Sequence, residues 1–492
     1  MPLMPRDAAY RKSEGRPPQN PTMTKIGATW SVLSEGELAR IRVAALDLIE
    51  DPGFDLHHPF LLDRARAAGA RVAPSGRVRM DRRLVAELLG RSPSRYSIRN
   101  VLGQSWEVGG QTPNGTAIVT DPWIIDYASG EPRRPRLEDL RRNTIVAQGL
   151  ASVSAVSRMD YPVTDVPGPD SSLRALEEHL LNHGKGYTVM PTSLKSFEQW
   201  VGIARVLARG GDIRGLVSTA VAVASPLVLD PMNAEILVRA VRAGFPVICT
   251  VCPMAGSTSP YSVAGSLLQS HVEALMVVLA CQLVESGAPV LYGSGISLTD
   301  LRDGHDLYYT LDKVLWKVAG VQLGLAENLP VMAECGGTLT HRCDPQSGAE
   351  GMLFMLSALA SRAHVLSGFG SCHNAVGMSA EMMVIQNEYL RASRHLGRGI
   401  RMDGGRLGVE SLRRAGPGGH FLDDELTLDL MRSDEFLAPG LFDASGGRAN
   451  GRPLLEAAHA RVEEMVSGFS SPVPGNVQEA LRAHFRRLRG AA

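Results

Sequence analysis

The sequence predicts an α/β protein: a (β/α)8 TIM-like barrel with an N-terminal cap of helices and a small sheet. Seven apolar, strand-like segments lie between residues 152 and 367, each ending near Gly, Pro, Asp or Cys. Segments with a helical period alternate with them. Buried apolar strands that are joined by helices pair in parallel, and seven such units favour an eight-fold barrel over an open doubly wound sheet.

The N-terminal part is predicted to be a polar, proline-rich, disordered tail over residues 1–30, without the apolar stretch of a signal peptide. The cap is predicted over residues 31–145. Its first helix begins after Ser34, and Glu37 stands at the spacing of a capping box. Further helices and short strands are predicted within the cap at 61–69, 82–89, 116–120 and 124–127.

The catalytic barrel is predicted over residues 146–445, followed by a C-terminal helical extension over 446–492. Its strands are predicted at 152–159, 186–190, 216–223, 246–251, 290–292, 330–333 and 364–367. Its helices are predicted at 171–182, 195–208, 232–243, 263–285, 312–327, 349–361 and 380–391. The pattern does not reveal an eighth strand, which either falls within 400–422 or is replaced by an irregular closing segment.

Composition excludes several classes of partner. The chain has 51 basic and 51 acidic residues, so neither nucleic acid nor an anionic membrane is expected as its main partner. Six scattered cysteines indicate free thiols in a reducing cytoplasm. The most apolar segment, 262–285, carries His271 and Glu273 at its middle, which favours a buried barrel helix over a membrane span.

Candidate site residues follow from the rule that barrel chemistry lies at the C-terminal ends of the strands. Catalytic roles are predicted for Glu334, His341 and Asp160. Substrate-binding roles are predicted for a set of aromatic and imidazole side chains at strand ends or in glycine-rich loops: Tyr292, Tyr161, Phe369, His373, His420 and Phe421. Such rings favour a cationic substrate that does not titrate, because ring faces attract an ammonium group without a desolvated counter-charge.

Other chemistries are less compatible with the pattern. A Schiff-base enzyme needs a lysine near the C-terminal end of a strand, but Lys185 precedes its strand, and Lys313 and Lys317 fall in a predicted helix. Cys249 and Cys252 are three apart on a strand and face opposite sides, so no metal site is assigned. The segment 293–295 lacks the third glycine of a dinucleotide-binding loop.

Two segments carry a family resemblance. Gly416–Leu422, with the sequence GPGGHFL, and Thr340–Glu350, with THRCDPQSGAE, resemble the trimethylamine methyltransferase family, and the resemblance extends over roughly residues 30–445. It implies a barrel enzyme that moves a methyl group from an amine to the Co(I) of a separate corrinoid protein. The founding members carry pyrrolysine, whereas this chain has only standard residues. It is therefore similar to the glycine betaine branch, which implies a betaine-like quaternary amine as substrate.

The resemblance also implies which partners to expect. The nearest match to the corrinoid-ligating pattern Asp-x-His-x-x-Gly is Asp303–Tyr308, which lacks the glycine. No tightly bound cofactor is therefore expected, and the cobamide is expected on a partner that docks at the barrel mouth. A homo-oligomer is also expected. Two alternatives stay open: a zinc-assisted corrinoid methyltransferase for an alcohol or thiol, using Cys252, Cys335, Glu334 or His341, and a non-catalytic betaine-binding barrel.

Overall fold

The computed structural model describes residues 29–158, 162–168, 170–448 and 451–490. Within them, eight parallel strands form the barrel: β1 (Asn114–Ile118), β2 (Val153–Arg158), β3 (Gly186–Val189), β4 (Val217–Ala222), β5 (Val247–Thr250), β6 (Val290–Leu291), β7 (Met332–Glu334) and β8 (Val365–Phe369). Their hydrogen-bonded order is β6-β5-β4-β3-β2-β1-β8-β7. A parallel bridge between Tyr292 and Val331 joins β6 to β7 and closes the barrel.

One long helix follows each strand before the next strand begins. These helices are α1 (Leu137–Gly149), α2 (Ser171–Leu181), α3 (Leu194–Leu207), α4 (Pro231–Arg242), α5 (Val263–Val284), α6 (Lys313–Ala326), α7 (Pro345–Ala360) and α8 (Ala380–Gly397). The predicted (β/α)8 class is confirmed. All seven predicted strand–helix units are present, with ends shifted by a few residues.

The strand that completes the barrel is β1, which the sequence analysis placed in the cap. It pairs in parallel with β2 on one side and β8 on the other. The barrel therefore begins near residue 114 and not at 146, and the described residues of 400–422 hold a short helix, Val409–Ala415, instead of a barrel strand. β1 was misassigned because its sequence, NGTAI, is mostly polar or small, and because a second short strand, Trp123–Ile125, precedes α1.

The cap consists of helices and short strands that pack on α5. Its helices are Glu35–Glu50, Pro59–Ala67 and Arg82–Gly90, and its strands are Phe54–Leu56, Arg71–Val72 and Arg77–Arg79. The predicted capping box is present, since Ser34 and Glu37 each accept a hydrogen bond from the other's backbone N–H. The predicted tail lies almost wholly outside the described residues. At the other end of the chain, Leu454–Ser467 packs on α8 and α1, and Gly475–Gly490 packs on α2 and α3.

A β-hairpin closes the N-terminal end of the barrel. Its strands, Tyr96–Arg99 and Ser105–Val108, pair antiparallel. The backbone N–H of Arg99 donates a hydrogen bond to the carbonyl of Gly215, with an N···O distance of 2.9 Å. The apolar side chains of the hairpin form one cluster with residues that project inward from β4, β5, β6 and β8: Ile98, Val108, Ala220, Ile248, Leu291 and Val365. The barrel is consequently filled with side chains at this end and can hold a ligand only nearer the other.

The longest helix, α5, is apolar enough by length and composition to cross a membrane, but 83% of its most apolar window is buried inside the protein. Glu273 at its middle accepts hydrogen bonds from Ser225 Oγ at 2.8 Å and from the N–H of Leu227 at 3.0 Å. The carboxylate thereby fixes the loop after β4 against the helix. The prediction of a buried barrel helix is confirmed.

Candidate functional site

A cavity of about 390 Å³ opens among the C-terminal ends of the strands. Its floor is apolar, because the side chains of the closing hairpin and of the inner strand faces meet there. Polar groups surround its mouth, and most come from loops that follow the strands: Asp121, Cys252, Asp306, Tyr308, Tyr309, Glu334 and Asn374. An apolar chamber with a few convergent polar groups is typical of a small-molecule site.

Glu334, the last residue of β7, is a predicted residue that lines this cavity. Its Oε1 accepts a hydrogen bond from the hydroxyl of Tyr308 at 2.7 Å. Its Oε2 lies 3.2 Å from Lys313 Nζ and 3.8 Å from Lys317 Nζ. Burial alone would raise the pKa of Glu334, but the charges of the two lysines and the Tyr308 hydrogen bond outweigh burial and lower the pKa.

The two lysines lie behind the cavity wall, on the first turns of α6. Lys313 Nζ stands 3.0 Å from the centre of the Tyr308 ring, and Lys317 Nζ stands 4.2 Å from that of Phe354. Burial lowers the pKa of Lys313, and it lowers the pKa of Lys317 to about 7, although Glu334 opposes both shifts. The two lysines therefore largely neutralise the charge of Glu334, so this carboxylate attracts a cationic ligand only weakly.

Asp121 is the carboxyl group in the cavity that is not balanced in this way. It lies three residues beyond the end of β1, lines the cavity and is only 4% exposed. It has no hydrogen bond or ion pair with the described residues. Burial raises the pKa of Asp121 well above its ordinary value. A buried carboxyl without a partner is stabilised in its ionised form by a cation brought into the cavity.

Tyr308 and Tyr309 supply the aromatic surface of the mouth, with ring centres 5.1 Å apart and nearly perpendicular. The hydroxyl of Tyr309 donates to Ser371 Oγ at 3.1 Å. A Cβ atom at Gly337 would lie 2.2 Å from the Tyr309 ring, so the loop after β7 must carry glycine there for the ring to fit. These contacts fix the Tyr309 ring in the cavity wall, where burial, the charge of Glu334 and, to a smaller extent, the charge of Asp121 raise the tyrosine pKa.

A strained turn in the loop after β8 holds Tyr308 in place. His373, Asn374 and Ala375 have φ values of 48°, 55° and 65°, in the left-handed region that non-glycine residues rarely adopt. The turn directs Asn374 across the mouth, where its Oδ1 accepts a hydrogen bond from the Tyr308 N–H at 2.7 Å. Two loops, after β6 and after β8, are thereby connected over the cavity.

Tyr292 and Phe369 are placed outside the cavity. Tyr292 follows the inward-facing Leu291 and therefore points to the helix layer, where its hydroxyl lies 3.0 Å from His271 Nδ1. An irregularity in the register of β8 after Ser367 turns Phe369 outward, and its ring packs close to Gly115. Both rings are fully buried core residues, and the structure does not bring them to the candidate site.

His341 and His373 lie together, but outside the described cavity lining. Their ring centres are 5.4 Å apart in an edge-to-face contact. Trp123 packs edge-on against His373, and Arg134 lies 4.0 Å above the Trp123 ring. This histidine pair is positioned by the small sheet in which Trp123–Ile125 pairs with Gly377–Met378. It adjoins the loop that carries Asn374 and so stands next to the mouth.

The remaining predicted residues do not form part of the described site. His420 and Phe421 are solvent-exposed on the C-terminal segment, where His420 Nδ1 lies 3.5 Å from Asp423. They do not line the cavity, and the structure does not bring them to the candidate site. Asp160 and Tyr161 lie outside the described residues.

The ligand set of the zinc alternative is not assembled. Cys335 is buried in the core with its Sγ 3.3 Å from the carbonyl of Ser367, and burial raises its thiol pKa to about 12. Cys252 lines the cavity, whereas His341 does not. Among the described residues, no three His, Cys, Asp or Glu side chains lie close enough to bind one metal ion.

Two residues of the segment Thr340–Glu350, which carries part of the family resemblance, hold loops in place. Asp344 caps α7, and Glu350 on that helix accepts hydrogen bonds from Thr338 Oγ1 and from the N–H of Leu339 at 2.9 Å. These bonds fix the loop that leads away from Glu334. Gln386 on α8 similarly accepts from the N–H of Gly370 at 2.6 Å and donates to the carbonyl of Ser371 at 3.0 Å.

The sequence analysis missed Asp121, Tyr309 and the two lysines. Asp121 would have been a strand-end candidate if Asn114–Ile118 had been assigned to the barrel. The spacing of Lys313 and Lys317, four apart, places both on one face of a helix whose first turn lies at the mouth. From the sequence, these lysines were considered only as Schiff-base candidates and were set aside because they fall in a helix.

Comparisons with known proteins agree over nearly the whole chain. The profile of a family described as trimethylamine methyltransferase (MTTB) matches residues 5–491. Glycine betaine methyltransferase of Desulfitobacterium hafniense (strain Y51) is 25% identical over 467 residues, which cover 92% of this chain and 95% of the relative. Trimethylamine methyltransferase MttB of D. hafniense (strain DSM 10664 / DCB-2) is 24% identical over 460 residues, covering 92% of each chain. Proline betaine:corrinoid methyltransferase of Eubacterium limosum is 25% identical over 415 residues, covering 80% of this chain and 84% of the relative.

Proposed function

This chain belongs to the trimethylamine methyltransferase family, and from that premise we propose that it transfers a methyl group from a small quaternary amine to a separate corrinoid protein. The names of its relatives support the reaction class, since they include glycine betaine and proline betaine:corrinoid methyltransferases. The observation that carries the proposal for this chain is the unpartnered carboxyl of Asp121 in the 390 Å³ cavity.

A quaternary amine suits the groups that line the cavity. It has no N–H to donate, so it is held by charge and by ring faces instead of by directed hydrogen bonds. Asp121 supplies the charge, and Tyr309 supplies an aromatic surface beside it. The amine that leaves after transfer is neutral, so no side chain has to protonate it. This agrees with the state of Glu334, the acid at the end of β7, which is already paired with Tyr308, Lys313 and Lys317 and is not needed as a proton donor.

The cobalt of a corrinoid, when its carrier protein is bound, would supply the nucleophile. The residues of this chain bind the substrate, orient the methyl carbon toward the mouth and exclude water with the apolar floor. In the loop before α6, Tyr308 donates a hydrogen bond to Glu334 at the mouth of the cavity. All six cysteines are free thiols, which supports a cytoplasmic location.

The test is the transfer of labelled methyl groups. The purified protein is incubated anaerobically with chemically reduced cobalamin as acceptor and with ¹³C-methyl-labelled tetramethylammonium, choline, glycine betaine or trimethylamine. We expect label on the cobalamin for at least one quaternary amine, loss of that transfer in Asp121→Asn, and retention in Asp429→Asn, which makes the same change on the exposed surface. Tight binding without transfer would instead indicate a binding barrel, and neither binding nor transfer for any amine would refute the proposal.

A further inference from the structure

The charged side chains that line the described cavity are all acidic. They are Asp121, Asp306 and Glu334, and the described lining contains no lysine, arginine or histidine. Lys313 and Lys317 balance Glu334 from behind the wall. The charge of Asp306 also acts on Lys313, where it opposes the lowering of the lysine pKa by burial. Asp121 is therefore the carboxyl group of the lining that faces the ligand without a compensating charge among the described residues.

A row of hydroxyl groups lies on another part of the wall. Ser157 on β2, Thr188 on β3 and Ser218 on β4 line the cavity, and they stand opposite one another in the strand register. Neighbouring strands are about 4.8 Å apart, so the three side chains form a continuous hydroxyl row. None of the three hydroxyls has a hydrogen-bond partner among the described residues. Each can donate to and accept from a ligand.

We propose that the substrate is a quaternary ammonium compound of net charge +1 whose tail ends in an uncharged hydrogen-bonding group, such as an alcohol, and not in a carboxylate. This inference rests on the proposed function and narrows it. The ammonium end is attracted by the carboxyl group of Asp121, and the tail bonds to the hydroxyl row.

A carboxylate tail would meet an unfavourable environment in this cavity. It would enter a confined space with the uncompensated carboxyl group of Asp121 and without a basic side chain in the described lining to pair with. Like charges brought together in a desolvated site repel strongly, and such repulsion is a common means of rejecting a wrong ligand. An alcohol tail carries no charge and exchanges hydrogen bonds with the same hydroxyl groups that a carboxylate would use.

The first test compares three probes that share a methylated ammonium centre. Isothermal titration calorimetry on the full-length protein is carried out with choline, glycine betaine and tetramethylammonium. We expect choline to bind about tenfold or more tightly than glycine betaine, because only the latter adds a negative charge. Glycine betaine binding as tightly as choline, or more tightly, would overturn the inference.

The second test removes the hydroxyl row. We expect Ser218→Ala and Thr188→Val each to weaken choline binding by about threefold to tenfold, and to leave tetramethylammonium, which has no tail, unchanged. Thr219→Val is the matched control, since Thr219 is the neighbouring strand residue, is fully buried and does not line the cavity. Equal losses for choline and tetramethylammonium, or no loss for either, would contradict the assignment.

The results also separate this inference from the proposal on which it rests. If none of the three probes binds, the proposed function fails, and this inference fails with it. If tetramethylammonium binds and loses affinity in Asp121→Asn, but choline shows no advantage over glycine betaine, only the present inference fails. The comparison of probes uses the unaltered protein, so it stands even if a variant does not fold.

Discussion

Replacing Asp121 by asparagine tests the central electrostatic feature of the cavity. The change removes the charge, keeps the side-chain volume and breaks no ion pair or hydrogen bond among the described residues. A quaternary nitrogen cannot approach a carboxylate closer than its methyl groups allow, at about 5 Å, where an effective dielectric of about 20 gives an attraction of about 3 kcal/mol. Ionising a carboxyl whose pKa is raised by burial takes up part of this attraction. We expect a net loss of about 2 kcal/mol, or roughly 30-fold in Kd.

The pH dependence of binding gives an independent signature of the same group. Because burial raises the pKa of Asp121, the carboxyl is neutral in acid and attracts a cation only after it has lost its proton. Affinity should therefore rise with pH until the raised pKa is passed, and binding in that range should release a proton. The Asp121→Asn variant should show neither effect. Calorimetry in two buffers of different ionisation enthalpy measures the proton release directly.

The Asp121→Asn change should weaken binding but raise the stability of the unliganded protein. A carboxyl whose pKa is raised by folding binds more protons in the folded state, so its contribution to stability is lost as pH rises. The unliganded Asp121→Asn protein should therefore have a higher Tm than the wild type at neutral pH, yet show no further rise with tetramethylammonium. A variant that is less stable and binds the neutral analogue 3,3-dimethyl-1-butanol less well would show that Asp121 is structural, and would refute the electrostatic reasoning.

Three further outcomes follow from other buried or exposed groups. Burial lowers the pKa of Lys317 to about 7 from 10.5, so the free energy of unfolding should rise between these pH values, and Lys317→Met should flatten that rise in urea titrations. Burial lowers the pKa of His183 to about 3 from 6.5, so stability should fall as pH drops through that interval, and His183→Gln should reduce the slope. Large apolar side chains are concentrated on the surface of residues 400–442, and Phe436 is 82% exposed. We therefore propose that this segment forms the interface of a homo-oligomer. Phe436→Asp should then lower the molecular mass measured by light scattering. The exposed control Asp429→Asn should leave the mass unchanged.

The sequence revealed the barrel where its strands are apolar on both faces. Segments such as Val247–Thr250 lie between the barrel interior and the helix layer, and that environment favours buried, mostly apolar residues. The strand Asn114–Ile118 does not show this apolar pattern, because its polar residues face the cavity and the closing hairpin. Asn114 Nδ2 donates to the carbonyl of Glu107 in that hairpin at 2.8 Å. Because Asn114 and Thr116 line the cavity, this strand lacks the apolar run that marks a packed core.

The site was harder to predict because a strand end does not fix the direction of a side chain. Glu334 was found by the strand-end rule, since it points inward from the last position of its strand. Tyr292 satisfies the same rule but follows a strand of two residues, too short for its inward and outward positions to be read from the sequence. Phe369 lies after a register irregularity that reverses its face. A shift of one residue moves a side chain from the cavity to the helix layer.

Two acidic groups of the mouth, Glu334 and Asp121, differ in a way that assigns them different tasks. Glu334 is fully engaged by Tyr308 and two lysines, so it stabilises the folded mouth and fixes a tyrosine ring whether or not a ligand is bound. Asp121 has no such partners, and as an ion it would destabilise the empty protein. Its ionisation becomes favourable only when a cation enters the cavity. A ligand that is positively charged and has no N–H to direct toward a fixed acceptor fits this environment, and that is the chemistry of a quaternary amine.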